Sequence, residues 1–139
     1  HKIIEEKTME KEPEFYDWKG KTILIVEDDI LSYEYLKEVL RETNASILHA
    51  KDGQSAIEKC KNNSEIDLVL MDIQLPGVDG NTATKEIRKF NEDLPILAQT
   101  AYALEEERIK ILESGCNDYV SKPINEKQLY QKISNFLQQ

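Results

Sequence analysis

Four apolar runs in this chain end in groups that bind cations or handle phosphate. Thr22-Ile23-Leu24-Ile25-Val26 ends in Glu27-Asp28-Asp29. Ile66-Asp67-Leu68-Val69-Leu70-Met71 ends in Asp72, and Leu75-Pro76-Gly77 and Asp79-Gly80 follow at once. Two further runs end in Gln99-Thr100-Ala101 and Ser121-Lys122-Pro123. In an open α/β sheet, ligands bind outside the carboxyl ends of the strands. The four ends therefore meet on one rim. Two carboxylates ~4 Å apart repel by about 4 kcal/mol at an effective dielectric near 20. Glu27, Asp28 and Asp72 on one rim thus need a cation. Oxygen ligands select Mg²⁺, and Mn²⁺ fits the same donors. Carboxylates, a hydroxyl and an ammonium together suit a divalent ion and a phosphoryl group.

The elements that must position these groups follow from periodicity. Strands are predicted near Thr22–Glu27 (β1), Ser46–Ala50 (β2), Leu68–Met71 (β3), Ile96–Gln99 (β4) and Tyr119–Ser121 (β5). Helices are predicted near Ile30–Thr43 (α1), Gly53–Asn62 (α2), Gly80–Asn91 (α3), Leu104–Ser114 (α4) and Glu126–Gln138 (α5). In α1, Leu31, Tyr35, Leu36, Val39 and Leu40 fall on one face, and in α5 Leu129, Ile133, Phe136 and Leu137 do the same. Short continuous strands rich in Ile, Leu and Val suit a parallel sheet buried on both faces. Strict βα alternation predicts such a sheet with right-handed crossovers. Asp29 reads as the N-cap of α1. Gly77 and Gly80 read as loop turns.

The stretches ILIVEDD, LVLMDIQLPGVDG, QTAYA and DYVSKPI stand in the order and at the spacing of a known family. Over Gly20 to Gln139 the chain resembles the response-regulator receiver domains of two-component signalling. The resemblance implies a flavodoxin-like (βα)5 three-layer sandwich with a five-stranded parallel sheet of order 2-1-3-4-5. It implies that Asp72 is a phosphoacceptor attacking a phosphohistidine. Asp28, Asp72 and the backbone carbonyl of Gln74 would ligate Mg²⁺, with Glu27 bound directly or through water. The family often has Asp where Glu27 stands. Lys122 would place a point charge on a phosphoryl oxygen, preceding a Lys-Pro bond that is usually cis. Thr100 would donate its hydroxyl to the phosphoryl group beside the Ala101 N–H. Thr100 and Tyr119 would form a switch that alters the α4-β5-α5 surface, a face that also admits a homodimer. Gln74 and Tyr102 would flank the path of the hydrolytic water and set the lifetime of the acyl phosphate. The expected partner is a histidine kinase or a histidine phosphotransfer domain. The domain itself would catalyse only its own phosphorylation and dephosphorylation.

The bulk numbers fit this reading. A chain of 139 residues with 40% apolar content holds one domain with a proper core. A net charge of −9 opposes a nucleic-acid surface, which needs clustered Lys and Arg. No apolar run approaches the ~18–20 residues of a membrane span, so no membrane contact and a cytoplasmic location are expected. Cys60 and Cys116 lack metal-ligand spacing and read as buried free thiols. His1 reads as a tag remnant, and His49 has no second histidine nearby, so a histidine-based site has no support. Residues 1–19 read as a charged linker or N-terminal extension, with Phe15, Tyr16 and Trp18 packing on the domain edge. The phrase Asp17-Trp18-Lys19-Gly20-Lys21 is similar to junctions in hybrid histidine kinases, which favours a piece of such a kinase over a stand-alone regulator. The rival reading is a haloacid-dehalogenase-like phosphatase. That class needs Asp-x-Asp, and Asp72-Ile73-Gln74 lacks the second acid. A degenerate receiver used only for docking is opposed by the complete set of acids, Thr100 and Lys122.

Overall fold

The computed structural model describes residues 16–102 and 104–137. Among the described residues, five strands alternate with five helices: β1 (Thr22–Val26), α1 (Ile30–Arg41), β2 (Ser46–Ala50), α2 (Gly53–Asn62), β3 (Leu68–Asp72), α3 (Gly80–Arg88), β4 (Ile96–Thr100), α4 (Glu105–Ser114), β5 (Asp118–Ser121) and α5 (Glu126–Leu137). The strands form one parallel sheet of order β2-β1-β3-β4-β5. Phe15, His1 and the rest of residues 1–15 lie outside the described residues, as does Gln138.

Side chains alternate across a strand, and this divides the core into two layers. Ile23, Ile25, Leu68, Leu70 and Leu97 face α1 and α5. Leu24, Val26, Val69, Met71, Ile96 and Ala98 face α2, α3 and α4. The three central strands are therefore apolar on both sides and almost wholly buried, while β2 and β5 at the edges are only partly so.

Polar residues set the helix ends. Asp29, Asp52 and Asp79 cap α1, α2 and α3, each accepting a backbone N–H three residues on. The helix α1 stops at Arg41, short of the expected Thr43. The Thr43 hydroxyl donates to the Leu40 carbonyl and Asn44 turns left-handed (φ 68°), which ends the repeat. The helix α3 likewise stops at Arg88 rather than Asn91. The Asn91 side chain instead accepts the Asp93 and Leu94 N–H groups of the following loop.

The inward face of α1 is rotated from the expected one. Tyr33, Leu36, Val39 and Leu40 are buried, whereas Leu31 is 76% and Tyr35 43% exposed. Tyr33 takes the inner position because its ring stacks on His49 of β2, 3.6 Å between centroids. In α5, Leu129, Ile133 and Leu137 are buried and Phe136 is partly so.

Ahead of β1, Trp18 is 2% exposed. It packs against Tyr16 and Tyr130, and its backbone N–H donates to the Thr43 carbonyl. Cys60 and Cys116 are buried free thiols, and burial pushes the Cys60 thiol up to about 11. Among the described residues, no helix is long and apolar enough to cross a membrane.

Candidate functional site

Sheet register brings the expected groups together. Val26 pairs with Met71, Asp72 with Gln99, and Thr100 with Ser121. The strand ends thus step by one residue across the sheet, and Glu27, Asp72, Thr100 and Lys122 come to one rim. Asp72 and Thr100 are the last ladder residues of β3 and β4 rather than the first loop residues. A ladder position holds a functional side chain more rigidly than a loop does. Alternation also sorts the rim. Glu27, Asp72 and Gln99 continue the α1/α5 face, and Thr100 continues the opposite one.

Glu27, Asp28 and Asp72 each offer a carboxylate oxygen, and these oxygens lie within 4.8 Å of one another. Glu27 and Asp72 are each 2% exposed, while Asp28 is exposed. Lys122 Nζ stands 3.2 Å from Asp72 Oδ2 and 3.7 Å from Glu27 Oε1. The Lys122-Pro123 bond is cis. One ammonium cannot neutralise three carboxylates. Burial, with the Asp72 charge beside it, pushes the Glu27 carboxyl from 4.5 up to about 7. Its Oε2 accepts the Asp29 N–H at 3.2 Å, but Oε1 is buried without a hydrogen-bond donor. An all-oxygen acid cluster with a buried acceptor that receives no hydrogen bond, only the Lys122 charge at 3.7 Å, fits a hard divalent cation.

The other expected groups flank this cluster. The Gln74 N–H donates to Asp72 Oδ1 at 3.1 Å, which folds the loop after β3 back over the carboxylate. Gly80 makes that fold possible, since a Cβ there would lie 2.3 Å from the Asp72 carbonyl oxygen. Thr100 is fully buried. Its hydroxyl donates to the Tyr102 carbonyl at 3.1 Å and accepts the Tyr102 N–H at 3.0 Å. Tyr102 itself is 58% exposed. Tyr119 is half-buried on the same sheet face as Thr100, with Lys132 and Arg108 over its ring at 5.1 and 5.6 Å.

Three features escaped the sequence reading. The Gln74 side-chain amide bridges the donors expected to hold phosphate. Its Oε1 accepts the Ala101 N–H at 3.3 Å and its Nε2 donates to Thr100 Oγ1 at 3.4 Å. Gln99 is 1% exposed with its Nε2 unpaired. It lines a cavity of about 370 Å³ walled by Leu31, Leu36, Pro123 and Ile124. Strand parity alone could have placed Gln99 there, two residues past Leu97 on the α1/α5 face. His49 Nε2 lies 2.9 Å from the Glu27 carbonyl oxygen. No sequence signal marks that contact, because it crosses between two strand ends.

Comparison with known proteins agrees with this geometry. The family model described as response regulator receiver domain matches residues 23–134. A relative from Dictyostelium discoideum, hybrid signal transduction histidine kinase I, is 40% identical over 120 residues, or 81% of this chain. The chain spans only 7% of that kinase's length. Among solved structures, the receiver domain of the Pseudomonas aeruginosa sensor histidine kinase PA1611 carries a magnesium ion in its active-site cleft. It is 33% identical with a TM-score of 0.80, covering 86% of this chain and 99% of that one. The Saccharomyces cerevisiae Ssk1 receiver, solved with the histidine phosphotransfer protein Ypd1, is 34% identical with a TM-score of 0.80. That match covers 90% of this chain and 92% of the other. With fold, rim and similarity in agreement, the chain belongs to the response regulator receiver domain family, the receiving modules of two-component phosphorelays.

Proposed function

We propose that Asp72 is the phosphoacceptor and that the rim is built to load it. A carboxylate oxygen of Asp72 attacks the phosphorus of a phosphohistidine. The O–P bond forms as the P–N bond breaks, and the imidazole leaves with the electron pair and takes up a proton. Lys122 balances charge on one phosphoryl oxygen. The Thr100 hydroxyl and Ala101 N–H receive another, once released from Tyr102 and Gln74. Asp28, Asp72, the Gln74 carbonyl and Glu27 are the groups that would hold Mg²⁺, with Mn²⁺ as a substitute. When bound, the ion would neutralise charge on the phosphoryl oxygens. Thr100 and Tyr119 relay occupancy to the α4-β5-α5 surface, where exposed Ile109 and Leu112 of α4 also suit a homodimer. Tyr102 and Gln74 tune the lifetime of the phosphoryl group. The domain turns over no separate substrate.

The observation that carries this reading is the 3.2 Å pairing of buried Asp72 with Lys122 beside two further carboxylates. The donor is a histidine kinase or a phosphotransfer domain. Exposed Ile30, Leu31 and Tyr35 on α1 offer it an apolar seat next to the rim. The Ssk1–Ypd1 complex supports that kind of partner. We place the domain in the cytoplasm, joined through residues 1–19 to a parent hybrid kinase, without direct contact to nucleic acid or membrane. Incubation with acetyl phosphate and Mg²⁺ tests the assignment. Intact-mass analysis should find one added phosphoryl group on the native chain and none on Asp72→Asn. Equal labelling of the Asn variant would move the acceptor elsewhere.

A further inference from the structure

Asp28 is the exposed member of the acidic cluster, and among the described residues its carboxylate receives no hydrogen bond. The backbone therefore sets where this side chain starts and along which Cα–Cβ direction it leaves the chain. Two contacts pin the peptide groups on either side of it. The Asp29 N–H donates to Glu27 Oε2 at 3.2 Å, fixing the peptide after Asp28. The Glu27 carbonyl, in the peptide before Asp28, faces His49 Nε2 at 2.9 Å. A carbonyl oxygen can only accept, so Nε2 carries the proton. Both the Nε2–H tautomer and the imidazolium donate there, and the contact survives either protonation state.

The ring that makes this contact is itself held. His49 lies on β2 opposite Ile25, hence on the α1 face of the sheet. It stacks on buried Tyr33 with 3.6 Å between centroids and 8° between planes. The strand ladder continues one bond further, from the Glu27 N–H to the Ala50 carbonyl at 3.0 Å. Beyond it the chain leaves the sheet, and the Glu27 carbonyl is taken by the His49 side chain. The other pin, the Glu27 carboxylate, is itself a member of the acidic cluster. The His49 pin stands outside that cluster.

We infer that His49 is a positioning residue of the cation site: through the Glu27 carbonyl it aims the Asp28 carboxylate at the cluster. This rests on the reading of Asp28 as a cation ligand. Groups that orient a ligand from behind typically change metal affinity by about 10–100-fold when lost.

The test is Mg²⁺ titration of the full chain, followed by backbone amide shifts. Thermal midpoints are measured in parallel. His49→Phe keeps a ring to stack on Tyr33 but removes the donor. It should weaken Mg²⁺ binding about tenfold while the midpoint stays near the native value. His49→Gln restores an N–H donor and should recover much of the affinity. Native affinity in His49→Phe overturns the inference. So does a lowered midpoint with no rescue of affinity by Gln, which would mark His49 as a packing residue only. Asp28→Ala separates the two readings. Lost binding there with native binding in His49→Phe removes the role of His49 alone, whereas native binding in Asp28→Ala removes both. A long-range ¹H–¹⁵N spectrum of the unmodified, metal-free chain adds a check that needs no variant. It should report the Nε2–H tautomer for His49, and an Nδ1–H tautomer would rule the contact out.

Discussion

The metal-free protein should lose stability as pH rises from the acid range toward neutrality, and Glu27 should be the cause. Burial first, and the Asp72 charge second, lift its carboxyl from 4.5 up to about 7. In the unfolded chain it ionises near the ordinary value. Between those two values the folded state holds a proton that the unfolded state has released. Stability from this group is full at low pH, declines through that window, and levels off above about 7. At about 1.4 kcal/mol per pH unit, the gap corresponds to about 3 kcal/mol. For a domain of this size that is a fall of about 10 °C in the midpoint. Thermal melts in EDTA from pH 5 to 8.5, of the native chain and Glu27→Gln, isolate the effect. The difference between the two curves should carry the slope, since every other titrating group is common to both. Saturating Mg²⁺ should flatten the native curve by stabilising the ionised cluster. Parallel curves for the two proteins in EDTA would refute the placement of a destabilised carboxyl at Glu27.

Two further outcomes concern the phosphorylated state. Tyr102→Glu should speed loss of the phosphoryl group without impairing loading, because an exposed acid in place of an aromatic ring admits and orients water; decay followed by intact mass should shorten several-fold, and equal or slower decay rejects shielding. Gln74→Ala frees the Ala101 N–H and the Thr100 hydroxyl from the side-chain amide. At about 0.5–1 kcal/mol for each of the two net contacts, beryllofluoride in Mg²⁺ should bind about 5–30-fold more tightly, read by amide shifts, and unchanged affinity would mean that the amide does not compete.

Most of the architecture was legible because it depends on periodicity. Apolar runs such as Leu68–Met71 have one stable use in a chain of alternating helices, the buried parallel strand. The strand order was not legible from pattern and came from family resemblance. Short-range polar chemistry moved the helix ends, as at Thr43 and Asn91. The outward turn of Leu31 and Tyr35 was hidden for a different reason. Which stripe of α1 faces inward is decided by a stacking partner, His49, supplied from another strand. The rim carboxylates, Thr100 and Lys122 could be located because each ends a run. The bridging amide of Gln74 and the carbonyl contact of His49 could not, since both depend on side-chain reach across loops.

The clasp of Trp18 between Tyr16 and Tyr130 has a spectroscopic consequence. Trp18 is the chain's single tryptophan. Its buried indole should emit toward the blue, excited in part by energy transfer from the two tyrosine rings 5.3 and 6.3 Å away. It sits before the amino end of β1, roughly 15–20 Å along the strand from the carboxylate rim. A cation or phosphoryl group at Asp72 cannot quench it by contact. Any change in its emission on loading is therefore a record of motion in the α1/α5 layer, where Trp18 touches Thr43 and Tyr130. The native chain thus carries its own optical reporter of long-range rearrangement, separate from any probe of ligand binding.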